Sequence, residues 1–158
     1  MRNLYLSLSF LLSMASPAWA APFQLSPDGQ EVTDAATGLI WKRCPEGMQW
    51  SGSACTGDAQ AMTFDKARAL AQSVAASEKK PWRVPKLDEL FHLVDKSQGV
   101  PTLDARAFPD TPAMQFWTAN INAKEGQGHR AHFVFFATGE SSEEVRAMPF
   151  YLRLVRGK

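Results

Sequence analysis

Apolar residues recur at helical spacing over Phe64, Ala67, Leu70, Ala71 and Val74, and this stripe predicts a helix over residues 64–77. Thr63 stands where a hydroxyl can cap the first turn, and Asp65 lies where the helix dipole favours an anion. Lys79, Lys80 and Pro81 end the pattern. Trp82, Arg83, Val84 and Pro85 then read as a short extended piece, because a residue before proline is pushed away from helical angles. Leu87, Leu90, Phe91 and Val94 repeat at i, i+3, i+4 and i+7, predicting a second helix over residues 87–95 with those four side chains on its core face.

Elsewhere the pattern is that of strands. Residues 38–43 form an apolar run that follows the turn-prone Asp34, Thr37 and Gly38, so the domain is expected to begin with a hairpin. Three more strands are expected over residues 115–119, 132–137 and 151–155. Phe133, Val134, Phe135 and Phe136 are nearly continuous and suit an interior strand. Leu152 and Leu154 alternate with Arg153 and Val155, which predicts one buried face and one partly wet face. Between helix and strands, residues 96–115 carry Gly99, Pro101, Pro109 and Pro112 and are expected to be a long ordered loop with function or packing of its own. Two early helices and mostly late strands make an α+β arrangement.

The first twenty residues follow a different rule. Arg2 precedes an apolar run of Leu4, Leu6, Leu8, Phe10, Leu11, Leu12 and Met14, and Ala18, Trp19 and Ala20 close it. Charge, short apolar body and small residues in that order are the pattern of a cleavable signal peptide over residues 1–20, leaving one domain over residues 21–158. The apolar body spans about ten residues, against the ~20 a membrane-crossing helix needs, so no transmembrane anchor is expected. No cysteine follows the cut, so no lipid anchor is expected either, and the product is read as periplasmic or secreted. The chain has 17 basic residues, Arg2 among them, and 16 acidic ones, so the exported part is formally neutral. Neutrality removes the electrostatic case for nucleic acid or an anionic membrane as partner.

Export changes the meaning of Cys44 and Cys55, the chain's two cysteines. An oxidising compartment favours joining them, and a loop of that length would stabilise the fold by about 2–3 kcal/mol through chain entropy. A metal site would need more ligands, and a redox pair would need Cys-x-x-Cys spacing.

Taken in order, several pieces resemble a known group of bacterial exported domains. They are Val32-Thr33-Asp34 through Thr37-Gly38-Leu39-Ile40-Trp41, Cys44 through Trp50 to Cys55, and Trp82-Arg83-Val84-Pro85 with Glu89-Leu90. Phe108-Pro109, Phe116-Trp117-Thr118, Phe133 to Gly139 and Leu152 to Arg156 continue the series. Over residues 30–156 the chain is similar to the Lcl C-terminal domain family, otherwise of unknown function. The resemblance implies a C-type-lectin-like fold, shared with formylglycine-generating enzymes. It further implies that the first and last strands pair, here residues 39–43 alongside 152–156. The adhesin that gives the family its name carries a collagen-like stalk. No Gly-x-y repeat stands in this sequence to gather weak sites into avidity.

The resemblance also frames the candidate chemistry. Lectin-type calcium sites use Glu-Pro-Asn or Gln-Pro-Asp, and neither triplet occurs. Ala119 in Trp117-Thr118-Ala119-Asn120 stands where a second oxygen ligand would be expected, and Asp104 and Asp110 alone fall short of six to eight oxygens. His129 and His132 would point to opposite faces of a strand, with His92 on another element, so no metal and no cofactor are expected. The formylglycine-type enzymes use reactive cysteines near the domain end, where this chain has none. Asp88 and Glu89 are adjacent on a helix and diverge, so no catalytic set is assembled.

Arg83 in its apolar segment and Glu89 in the first turn that follows are expected to form a structural ion pair, although two solvated charges fit the sequence equally. Asn120, Asn122, His129 and Arg130 sit in a glycine-containing stretch between two strands and are the expected ligand-binding residues, with a solvent loop as the plain alternative. The function expected is a non-enzymatic recognition module for a glycan or surface protein. A structural or assembly component of the envelope, or an enzyme with an unrecognised site, remains open.

Overall fold

The computed structural model describes residues 22–157, and the expected signal peptide lies outside the described residues. Among the described residues, nine strands and two α-helices form an α+β fold with several small antiparallel sheets. The first sheet has the order β1 (Phe23–Leu25), β2 (Glu31–Asp34), β3 (Ile40–Lys42) and β9 (Val155–Arg156). Its opening turn is built by Asp34, whose carboxylate accepts from Ala36 N and Thr37 Oγ1, while Gly38 at φ 74° takes the left-handed position. Val32 then faces Trp41, and Trp41 faces Val155, so residues far apart in sequence close one sheet.

A hairpin of β4 (Met48–Trp50) and β5 (Cys55–Gly57) follows, held to the first sheet by the Cys44–Cys55 disulfide. The first helix, α1 (Phe64–Glu78), begins where expected, with Thr63 Oγ1 accepting from Lys66 N. It buries Phe64, Ala67 and Ala71 against Trp117, Phe150 and Leu152. The third sheet orders β6 (Gln115–Ile121), β7 (Arg130–Phe135) and β8 (Glu140–Val145), so the phenylalanine-rich strand is the central one. A second core joins Trp41, Leu90, Phe116 and Phe136 between the first and third sheets. Each such side chain contributes on the order of 1.5–3 kcal/mol on burial, against roughly 0–1 for an exposed ion pair. The two apolar clusters therefore dominate stability.

Residues 96–115 are ordered as expected by packing of their own. Thr102 donates both N and Oγ1 to Phe136 O, and Leu103, Ala107 and Phe108 enter the core. Asp95 caps a short 3-10 turn over Lys96–Gln98.

Two expectations need correction. The second helix, α2 (Leu87–Phe91), stops after five residues, short of residue 95. Phe91 is consequently 44% exposed, and Leu93 turns inward in its place. The segment 151–155 is not an alternating strand with a wet face: Leu152, Arg153, Leu154 and Val155 are all fully buried. It is threaded between neighbours on both sides, with Lys42 N bonded to Leu154 O and Arg83 paired through both backbone groups with Val155. Lastly, β8 was not anticipated. Its Glu-Ser-Ser-Glu-Glu run has no hydrophobic alternation because it is a sheet edge, where charge discourages further pairing.

Candidate functional site

A cleft of about 520 Å³ lies between the disulfide-linked hairpin, the first sheet and the C-terminal end of α1. Backbone geometry sets its walls. Lys79 takes left-handed angles (φ 52°) and returns its N–H to Ala75 O, so Glu78 and Lys80 on either side both line the cleft. Gly47 is required at φ 95°, since a Cβ there would come 2.5 Å from Asp58 O. Gly29 likewise leaves room for Trp50, whose Nε1 would be 2.5 Å from an added Cβ. The Arg43 guanidinium lies 3.7 Å from the centre of the Trp50 ring and donates to Gly29 O and Arg106 O, which steadies that wall.

The side chains in the cleft form two ionic groups. Lys42 Nζ is 2.7 Å from Glu78 Oε1 and 3.6 Å from Glu46 Oε1, and Trp82 Nε1 donates to Glu78 Oε2 at 2.6 Å. Glu31 accepts from Lys80 on one oxygen and from Arg156 on the other. Burial alone would raise Glu78 and Glu31, but those hydrogen bonds outweigh it and hold both carboxyls below the usual range. Glu46 differs. Its side chain is only 10% exposed, and burial, reinforced by the negative charge of Glu78, lifts its carboxyl above the ordinary value despite Lys42.

The sign of that shift makes a prediction. A carboxyl with a raised folded-state pKa stabilises the fold below its unfolded value, here near 4.5, and loses that contribution as pH rises through the folded value. Glu46→Gln should therefore be more heat-stable than the parent at pH 7, with the difference shrinking as pH falls toward 4.5, as thermal melts across that range would show. A Gln variant less stable than the parent at pH 7 would mean that attraction to Lys42 outweighs burial.

The residues expected to bind ligand are placed apart from this cleft. A shift of register in β6 between Trp117 and Ile121 carries Asn120 toward α2, where its Oδ1 accepts from Leu87 N at 2.8 Å. Asn122 and Arg130 are brought together on Glu143: Asn122 Nδ2 donates to its Oε2 at 2.6 Å, and Arg130 donates to its backbone oxygen at 2.8 Å. His129 is exposed, and its carbonyl accepts from Arg146 N. The side chains of Asn120, Asn122 and Arg130 thus already hold intramolecular partners.

Arg83 and Glu89 meet in a two-pronged pair, both contacts at 2.7 Å. Glu89 Oε2 also accepts from Lys86 N, which closes the start of α2. Burial acts to raise Glu89, but these bonds hold its carboxyl down. His92 lies beside Asp34 at 3.2 Å, away from His129 and His132. Among the described residues, no three His, Cys, Asp or Glu side chains are grouped to hold a metal ion, and no helix is long and apolar enough to cross a membrane.

Sequence reasoning missed the cleft because Glu31, Lys42, Glu46, Trp50 and Glu78 come from five different segments. The available signal was Trp50, a large aromatic side chain inside an otherwise polar, glycine-containing disulfide loop. Residues 30–156 match the family model described as the Lcl C-terminal domain. No curated protein and no solved structure matches the chain.

Proposed function

The chain belongs to the Lcl C-terminal domain family, and from that premise we propose that it is an exported, non-enzymatic recognition module binding a glycan in the cleft beside the disulfide-linked hairpin. The observation that carries this reading is the lining itself. Four carboxylates, Asp28, Glu31, Glu46 and Glu78, face Lys42 and Lys80, with Arg43 and Arg156 abutting Trp50 and Glu31. Such a charge-balanced surface, dense in donors and acceptors and poor in open apolar area, suits a neutral, hydroxyl-rich ligand better than a lipid or nucleic acid. Export to the periplasm or beyond agrees with the signal-like first twenty residues and with the disulfide. A C-type-lectin-like fold is part of the proposal, supported by the pairing of β3 with the last strand.

The test is a screen of the oxidised protein against neutral and charged glycans, with and without calcium. Binding should be selective for neutral oligosaccharides. Replacing exposed Gln30 and Gln49 together by alanine should weaken it about tenfold or more, two hydrogen bonds being worth roughly 1 kcal/mol each. If that variant binds normally while alanine at Asn122, His129 and Arg130 abolishes binding, the site moves to the 120–130 loop. Retention of surface proteins and of no glycan would overturn the ligand class.

One observation favours a second reading, hydrolysis of the bound glycan. Glu46 and Glu78 contact the same ammonium, yet their carboxyls are displaced in opposite directions, as an acid and base pair requires. Shortening of an oligosaccharide by the parent and not by Glu46→Gln would establish it.

A further inference from the structure

We propose that a second pocket binds a small amphiphilic anion, a carboxylate carried on an aliphatic tail. This pocket, of about 270 Å³, lies between α1 and residues 82–86 and is independent of the glycan reading. Its floor is apolar: Ala71 and Trp82, each 4% exposed, Val84, and Ala119 from the irregular part of β6. Trp82 is the wall shared with the cleft, but its one polar atom is turned away to Glu78. The floor therefore offers contact and no hydrogen bonds from side chains.

The rim carries the charge. Arg68 and Gln72 approach from α1, and Arg83 and Lys86 from the opposite side. Arg83 is answered by Glu89. Arg68 and Lys86, in contrast, have no carboxylate within ion-pair distance among the described residues. Two cations without a carboxylate partner, Arg68 resting 5.9 Å from the centre of the Phe64 ring, over an apolar floor are complementary to a ligand that ends in an anion and continues as hydrocarbon. The volume lies just below the range of about 300–1,000 Å³ usual for small-molecule sites, which limits the tail to a short one.

The experiment is a calorimetric titration of the oxidised protein with octanoate, octanol and acetate at low ionic strength. Octanoate should bind at least tenfold more tightly than octanol, which lacks the anion, and than acetate, which lacks the tail. In the double variant Arg68→Gln, Lys86→Gln, octanoate should fall to the affinity of octanol. Exposed Ala119→Phe should fill the pocket and abolish octanoate binding without altering the melt. Equal binding of octanol and octanoate would remove the role of the cations. Octanoate affinity unchanged in Ala119→Phe would remove the pocket itself, and neither result bears on glycan binding in the cleft.

Discussion

Arg153→Met is expected to lower the unfolding free energy by about 3–5 kcal/mol. Arg153 has no exposed surface, and its guanidinium lies 4.9 Å from the centre of the Phe108 ring. Nη1 donates to the carbonyls of Lys42 and Arg43, and Nη2 donates to Thr111 Oγ1 at 2.7 Å. Burial, partly opposed by the charge of Glu46, brings the guanidinium down to about 9, so it remains charged at neutral pH. Methionine matches the volume, and replacing a buried ion by a hydrophobic side chain is often harmless when all its partners go with it. Here the partners stay. Two backbone carbonyls at the end of β3 would lose their donors, at about 1–3 kcal/mol for each left unsatisfied, while Thr111 Oγ1 would keep only the bond it donates to Phe108 O. Urea unfolding gives the readout. A loss below about 1 kcal/mol would show that water or a rearranged backbone satisfies those carbonyls. Arg153→Lys should fall between, since one ammonium cannot reproduce the guanidinium fork.

Removing the disulfide, by Cys44→Ser with Cys55→Ser, is expected to cost about 2–3 kcal/mol. The bond spans 11 residues and ties a short hairpin to the first sheet. Other ties of that segment include Glu46 N donating to Leu152 O, Cys55 N to Asp110 Oδ2 and Gln60 N to Glu46 O, with Trp50 stacked beneath Arg43. A two-stranded hairpin is marginal by itself. The variant should consequently lose order in residues 44–58 before it unfolds globally, visible as rapid amide exchange there with protection retained in β7. Glycan affinity, on the cleft reading, should fall with it. An unchanged urea midpoint would show that the hairpin is held by those polar contacts alone.

The residues involved explain what could be read in advance. Helix α1 was legible to within a residue because periodicity, cap and stop are all local. The Cys44–Cys55 bond followed from two cysteines and an inferred oxidising compartment. The Arg83–Glu89 contact was legible as a possibility because six residues separate the partners and a helix start lies between. Phe91 misled, since its spacing belongs to a helix that ends at that very residue. The strand β8 was invisible because an edge strand has no need of apolar alternation.

The candidate site was least legible of all. Asn120 has the composition of a binding residue, yet its side chain serves the first turn of α2, some thirty positions earlier in the chain. Lys42, Glu46 and Glu78 look like ordinary surface charges until the end of α1 is set against the first sheet.

By itself the sequence determined the helix α1, the pairing of its cysteines, the α+β class and the family, since each depends on spacing or residue order along the chain. Only the tertiary structure decided that Arg153 is buried, that Asn120 is a helix partner and that a polar cleft exists. A polar side chain becomes structural or available according to which distant donors and acceptors the fold brings within about 3 Å of it.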